Sequence, residues 1–404
     1  MKDEYEFILF ERAKIDVKML INQALRIVFL LSVIIPVFTV LIYGLVLFYY
    51  YRTNKIEHKE NIKNYPDLTI LIPTHNEEKI IDRRIKNLLE TKYPQNKVKV
   101  IFIDDSTDET PNIIKKHIAA NTNFKLIRFD QRMGYSPSIL KGIRATDTAI
   151  VVLNEAGSFP RSDALLRQIS RFDNPKIGAV TGKSQIINER EKVGGIESLY
   201  LKIVNFIRES ESNMDSTFYI KGEATAYRKE LVSDIKAVPQ TGSIDTSMAL
   251  LVRRKGYRSV FDPEVIFDEY APLDDKGYIK QKTIRAANLM RNILIFKDML
   301  FNSKYSKFGL LTLPFNFINL FITPILIVTA LVSTIIGEII DPGFFMPILF
   351  ILAVGLLILF LVSKNFFFLI IELEISLLKA LSQIFISKKG HDKIERVEST
   401  RRIT

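Results

Sequence analysis

The chain has 404 residues, 48% of them hydrophobic and 25% charged, a balance that supports a large core and excludes a disordered chain. It contains no cysteine, which excludes a disulfide scaffold, a zinc–cysteine site, an iron–sulfur cluster and a cysteine nucleophile; its 4 histidines argue against a histidine-rich metal centre. Lysine and arginine number 56 against 45 acidic residues, and the net charge of +11 suits an anionic partner such as a membrane surface, a phosphorylated substrate or nucleic acid.

Residues 1–24 read as an amphipathic N-terminal segment and 25–51 as a transmembrane helix. From Ile27 to Tyr51, between Arg26 and Arg52, there is no charged residue. At ~1.5 Å per residue, roughly 20 residues cross a ~30 Å hydrocarbon core. Tyr49, Tyr50 and Tyr51 beside Arg52 make an aromatic and cationic stop. A cleaved signal peptide would have a shorter apolar run nearer Met1.

Residues 52–289 read as a soluble domain. Leu68–Ile72 is a short apolar run ending at Pro73, a buried-strand signal. Ile81, Ile85, Leu88 and Leu89 share one face of a helix over residues 78–90. Val98–Ile103 is the next strand. Thr110 and Pro111 predict a capped helix start, with proline at the first helical position. Phe124–Arg128 and Ala149–Leu153 complete four strands separated by helices, the pattern of parallel βαβ units. Ligands of such sheets bind at the strands' carboxyl ends. The polar residues there are Pro73, Thr74, His75, Asn76 and Glu77 after the first strand, Asp104 and Asp105 after the second, and Asn154 and Glu155 after the fourth.

The remaining chain returns to lipid. Residues 290–307, with Phe296, Met299, Phe301 and Tyr305 among lysines, predict a helix lying in the membrane interface. Residues 308–338 and 343–363 form an expected transmembrane hairpin turning at Asp341-Pro342-Gly343. Residues 366–387 hold Glu372 and Glu374 on nearly opposite helix faces, which favours an interfacial helix or one packed on the other spans over a lone span. Residues 388–404 are a basic tail that, with the basic loop after Tyr51, places the soluble domain in the cytoplasm of a multi-pass cell-membrane protein. The positive charge gathers at membrane boundaries, so nucleic acid is set aside as a partner.

Taken together, Pro73–Glu77, Ile103–Thr110, Gly178–Gly182, Gly222–Arg228 and Ser243-Ile244-Asp245 resemble the motifs of the membrane-anchored family 2 glycosyltransferases over roughly residues 68–293. The resemblance implies an α/β fold, a Rossmann-like glycosyltransferase A domain with a mainly parallel sheet flanked by transmembrane helices. It implies an inverting transferase that takes a nucleotide-diphosphate sugar and passes the sugar to a lipid-linked or polysaccharide acceptor, with membrane lipids as further partners and no organic cofactor. It places Pro73, Thr74, Asn76, Glu77, Asp104 and Asp105 around the donor's nucleoside and Asp245 as catalytic base. Sequence alone leaves Asp245 equally readable as a helix cap.

Three departures from the family pattern bear on mechanism. Where the family carries Asp-x-Asp for a divalent cation, Mg or Mn, this chain has Asn154, Glu155 and Ala156, so Glu155 is the single candidate metal ligand. Restoring aspartate at 154 and 156 is therefore expected to raise metal binding. The family's Gly-Lys becomes Gly134-Tyr135, with Arg132 nearby, and the Gln-x-x-Arg-Trp motif of processive synthases is reduced to Lys282-x-x-Arg285-Ala286. Lys282, Arg285 and Arg132 are expected to stabilise the leaving diphosphate, with Asn154 a further donor-binding residue, although a basic face meeting lipid headgroups is the competing reading for Lys282 and Arg285. Two alternatives remain open: a processive polysaccharide synthase, and a weakly active homologue that binds nucleotide sugars.

Overall fold

The computed structural model describes residues 2–53, 65–234 and 242–385. Most of the basic loop after Tyr51 and all of the expected tail at 388–404 lie outside the described residues. Helix α1 (Lys2–Thr53) runs without a break through the expected boundary at residue 24 and through Pro36. At ~1.5 Å per residue it is more than twice as long as a bilayer core is thick.

The soluble domain opens with β1 (Leu68–Thr74), α2 (Ile81–Leu89), β2 (Val98–Asp104), α3 (Thr110–Ile118), β3 (Phe124–Arg128), α4 (Tyr135–Ala145) and β4 (Ile150–Asn154). These are the expected βαβ units. Every residue of β1 is buried, the pattern of a strand covered on both faces. Leu68 lies beside Val98 of β2 and Ile150 of β4, both in parallel register. The chain continues through β5 (Phe159–Pro160), α5 (Ala164–Ser170), β6 (Ile177–Ile186), α6 (Lys192–Met214), β7 (Ala224–Arg228), α7 (Lys229–Val232), α8 (Ile244–Arg254), β8 (Arg258–Glu269) and α9 (Asp275–Ile295). The eight strands make one sheet in the order β3-β2-β1-β4-β7-β6-β8-β5. Strand β7 inserts antiparallel between β4 and β6, so the sheet is mixed, with a parallel half carrying β1 to β4. Two apolar layers sandwich it; one, around Ile72, Ile85 and Phe102, includes Ala156, and the other, around Leu71, Ile139 and Met248, continues into the membrane-side helices through Phe308 and Phe321.

Two local expectations fail. Thr110 is not the cap of α3: that position belongs to Glu109, while the Thr110 hydroxyl accepts the Glu77 N–H at 2.8 Å. Residues 290–307 form no interfacial helix; α9 ends at Ile295 and short 3-10 turns follow at Lys297–Met299 and Ser303–Tyr305. Phe296, Met299 and Tyr305 are buried in the protein core, and Asp298 pairs with Arg254 at 2.8 Å. These three cover the core instead, while Phe301 stays exposed.

Among the described residues, three helices are long and apolar enough to cross a membrane: Phe10–Thr53, Phe308–Ile340 and Pro342–Val362. The second strings α10 (Leu313–Phe317) to α11 (Thr323–Ile340) through π-helical turns at Phe308–Thr312 and Ile318–Ile322. It is followed by α12 (Pro342–Val362) and α13 (Lys364–Phe385). Arg26 reaches Asp341 at 2.7 Å and so ties α1 to the hairpin turn. Helix α13 packs on α9 and α6, with Glu372 buried. That packing removes the cost of exposing Glu372 to lipid.

Candidate active site

The parallel register sets Thr74, the last residue of β1, beside Asp104, the last of β2. The two following loops are therefore neighbours, and their side chains bolt them together. Asn76 adopts a left-handed backbone (φ 55°); its N–H donates to Ser106 Oγ at 2.8 Å and its Oδ1 accepts the Thr107 N–H at 2.8 Å. Ser106, which stands where the family has glycine, also donates to Asp104 Oδ1 at 2.6 Å. Asp104 further accepts from Thr74 Oγ1 at 2.8 Å and from the Arg128 guanidinium. Its side chain is 0% exposed. The Asp104 carboxylate, expected to face the nucleoside, is buried and already accepts from both neighbouring loops and from Arg128. Asp105 sits nearer the surface, pairs with His75 Nδ1 at 2.8 Å and accepts the Met133 and Gly134 N–H groups at 2.8 and 3.3 Å. Gly134 holds φ 83°, a left-handed conformation that glycine adopts without strain. This brings the loop carrying the exposed Arg132 against the β2 loop. Pro73, Thr74, Asn76, Glu77, Asp105 and Arg132 thus gather at one end of the sheet.

The other half of that end is built around Asp245, in the first turn of α8. Ser243, at the N-cap of α8, makes no side-chain cap and instead donates its hydroxyl to Asp245 Oδ1 at 2.8 Å, and Tyr227 Oη donates to the Asp245 carbonyl at 2.9 Å. A side-chain carbon on Gly222 would lie 2.4 Å from Tyr135 Oη and 3.5 Å from Asp245 Oδ2. Any larger residue at 222 would therefore have to displace Tyr135 where Tyr135, Gly222 and Asp245 converge. Burial, then the charge of Glu223, pushes the Asp245 carboxyl up to about 6.

Beside Asp245 lies a network of buried charges. Lys221 Nζ reaches Glu269 Oε1 at 2.5 Å, Ser184 Oγ at 2.7 Å and Glu223 Oε1 at 3.4 Å. Arg285 reaches Glu223 Oε1 at 3.3 Å and Glu197 Oε1 at 3.9 Å. Lys282 pairs with Glu197 Oε2 at 2.6 Å and lies 3.3 Å from the centroid of the Tyr200 ring. Burial pulls Lys282 down to about 7 against the pull of Glu197. The Arg285 side chain is 28% exposed and that of Lys282 is 3%. Arg285 can therefore meet an anion directly, whereas Lys282 is held on Glu197 behind it. Sequence reading missed Glu197, Lys221, Glu223 and Glu269; the signal within reach was the Lys221-Gly222-Glu223 run just ahead of β7.

At the end of β4, Asn154 Oδ1 accepts from Arg84 Nη2 at 2.9 Å and Asn154 Nδ2 donates to the Glu223 carbonyl at 2.8 Å. Ala156 is fully buried in the apolar layer. Glu155 closes a turn through its carbonyl, which accepts the Ser158 N–H at 3.2 Å. Among the described residues no group of three His, Asp or Glu side chains is placed to hold a metal ion. With the amide oxygen of residue 154 already committed to a guanidinium, the residues at this strand end do not fit a divalent cation.

Residues 69–236 match the family model described as glycosyl transferase family 2. They form a family 2 glycosyltransferase domain. The chain is 27% identical over 293 residues to the poly-beta-1,6-N-acetyl-D-glucosamine synthase of Staphylococcus aureus, covering 70% of this chain and 69% of the relative. It is 26% identical to the synthase of the same name from Staphylococcus epidermidis, over 65% of this chain and 62% of that one. A solved structure titled mannosyltransferase PcManGT from Pyrobaculum calidifontis, in complex with GDP-Man and Mn2+, superposes with a TM-score of 0.73 at 21% identity, over 92% of this chain and 100% of that one. The glycosyltransferase A fold expected from sequence is present, and the chain is a glycosyltransferase.

Proposed function

We propose that this glycosyltransferase is a membrane enzyme that transfers a sugar, with inversion, from a nucleotide-diphosphate donor to a lipid-linked or glycan acceptor at the cytoplasmic face. The observation that carries this reading is the placement of Asp245 Oδ2 beside Gly222 and next to the Glu223–Arg285 pair. Oδ2 would take the proton of the acceptor hydroxyl as its oxygen bonds the anomeric carbon. The bond from that carbon to the donor's phosphate oxygen breaks, and the nucleoside diphosphate leaves with the electron pair towards Arg285. The bolted loops after β1 and β2 would hold the nucleoside, with Asp105, Glu77 and Asn76 presented by the frame that Asp104 and Ser106 maintain. Three membrane-length helices and a core continuous with them support an acceptor that arrives from the bilayer. A cytoplasmic location is supported by the basic segments after Tyr51 and Ser387, which lie outside the described residues. Metal chemistry is not part of this reading, because the strand end where the family's cation would sit is committed elsewhere.

Processive polysaccharide synthesis is the second reading, favoured by the staphylococcal relatives, whose names are those of polysaccharide synthases. Full-length protein in detergent, given labelled donor sugars with membrane lipid extract or with oligosaccharide primers, tests both. Label recovered as a single addition on lipid supports the first; a ladder of long products supports the second. Donor binding with neither transfer nor hydrolysis overturns both and leaves a nucleotide-sugar binder.

A further inference from the structure

Arg84, on α2, is a buried guanidinium with no ion pair among the described residues. Its side chain is among the largest that are fully buried, at 1% exposure. Its hydrogen-bond partners among the described residues are two neutral amides: Asn87 Oδ1 at 2.7 Å and Asn154 Oδ1 at 2.9 Å. Its Nε has no acceptor there. Burial alone draws this guanidinium down to about 9, whereas the buried Arg171 has the carboxylate of Asp262 at 2.6 Å. A buried cation with no counter-charge is costly unless an anion completes it.

The position of Arg84 says where that anion would be. Asn154 is the last residue of β4, and ligands of such sheets lie outside the carboxyl ends of their strands. The guanidinium therefore lies one amide behind the place where a donor diphosphate would rest. Through its other end the same amide holds the carbonyl of Glu223, whose carboxylate meets Arg285. Positive charge thus flanks that place from two sides.

We propose that Arg84 replaces the divalent cation at the end of β4: a resident guanidinium, relayed through the Asn154 amide, is the fixed positive charge beneath the donor's diphosphate, and nucleotide binding needs no metal. This rests on the transferase reading above. It also reverses the expectation that aspartate at 154 and 156 would build a metal site. An aspartate at 154 would be taken by Arg84, and one at 156 would be buried in the apolar layer that holds Ala156.

The test is calorimetric binding of UDP and of GDP to full-length protein in detergent, in EDTA and again in manganese. The wild type should bind one of them equally in both. Arg84→Met should weaken that binding about tenfold and Arg84→Lys should largely keep it, because charge-assisted contacts are lost in the first and retained in the second. Asn154→Asp, nearly isosteric, should also weaken binding, and manganese should not restore it while Arg84 is present. In the double variant Arg84→Met/Asn154→Asp manganese should strengthen binding. Wild-type affinity that falls tenfold in EDTA, undiminished affinity in Arg84→Met, or rescue of Asn154→Asp by manganese would each overturn the proposal while leaving the transferase reading standing. If Arg84→Met does not fold, by circular dichroism, Asn154→Asp decides alone. Failure of the wild type to bind any nucleoside diphosphate would sink the transferase reading and this proposal together.

Discussion

The carboxyl end of the sheet is built in two different ways on its two halves. On the β1–β2 side, each acid already has a short-range partner: Asp104 has Arg128 and two hydroxyls, and Asp105 has His75 and two backbone N–H groups. On the β4–β7–β8 side, three carboxylates, Glu197, Glu223 and Glu269, share ion pairs with three cations, Lys221, Lys282 and Arg285, and beside them the site has a base raised to about 6 and a lysine lowered to about 7. The first half is a rigid frame suited to gripping a nucleoside. The second stores charge close to where bonds would change, which is where perturbed titration is expected in an enzyme. Substitutions in the first half should therefore act on binding and stability, and those in the second on turnover.

The largest effect is expected at Asp245. Asp245→Asn keeps the size of the side chain but removes its ability to take a proton, so transfer should fall ~10²–10⁴-fold while donor affinity stays within a factor of about two. Initial rates and calorimetry on one preparation check this. Retained turnover would move the base elsewhere. The pH profile carries the same claim: a base must be ionised, so kcat/KM should fall by about tenfold per pH unit below about 6. Stability should move the opposite way. The folded carboxyl holds its proton more tightly than the usual 3.8, so its contribution to stability is full at low pH and is lost as pH rises through about 6.

Next in size is Arg285→Ala, expected to cost ~10²-fold in turnover, as removal of one group that stabilises developing charge usually does. Glu155→Ala should cost far less, since Arg285 is the cation of the network with an exposed face. A reversed order, read from rates at saturating donor, would shift leaving-group stabilisation from the cation network to the end of β4.

Asp104→Ala tests the frame. It leaves Arg128 and the Thr74 and Ser106 hydroxyls without their acceptor. Breaking a buried ion pair usually costs more, but Arg128 is partly exposed, so about 2 kcal/mol of stability is expected. Thermal unfolding should report that loss, with donor binding weakened as its consequence and turnover at saturating donor little changed.

The same division explains what could be read from sequence. The frame is local: Pro73–Glu77 and Asp104–Thr110 each span a few residues directly after a strand, so strand periodicity located them. The charge network is not local. Glu197 lies on α6, a helix carrying many charged residues, and periodicity does not say which of them turns inward. Glu269 reaches Glu223 through Lys221, and Arg285 on α9 reaches Glu223 across the sheet, where β7 lies antiparallel beside β4; none of this topology shows in a short window. The segment at 290–307 failed for the converse reason: apolar residues spaced among lysines fit a protein core as well as a membrane surface.

The smallest expected effect is also the most specific to geometry. At Gly222 an added methyl carbon would sit 2.4 Å from Tyr135 Oη, closer than atoms can approach, and 3.5 Å from Asp245 Oδ2, an ordinary contact. Gly222→Ala must therefore push Tyr135 or the base aside. Because Gly222 is not among the residues with positive φ, the penalty is steric alone. About a tenfold loss of turnover is expected, in line with the cost of misplacing a reacting group by a fraction of an ångström. Tyr135→Phe removes the clashing oxygen. In the double variant Tyr135→Phe/Gly222→Ala, turnover should rise above that of Gly222→Ala alone. A double-mutant cycle with a coupling of about 1 kcal/mol would place the phenol, Gly222 and Asp245 in one contact. Strict additivity would mean that Tyr135 does not bear on the base, and the acceptor side of the site would have to be redrawn without it.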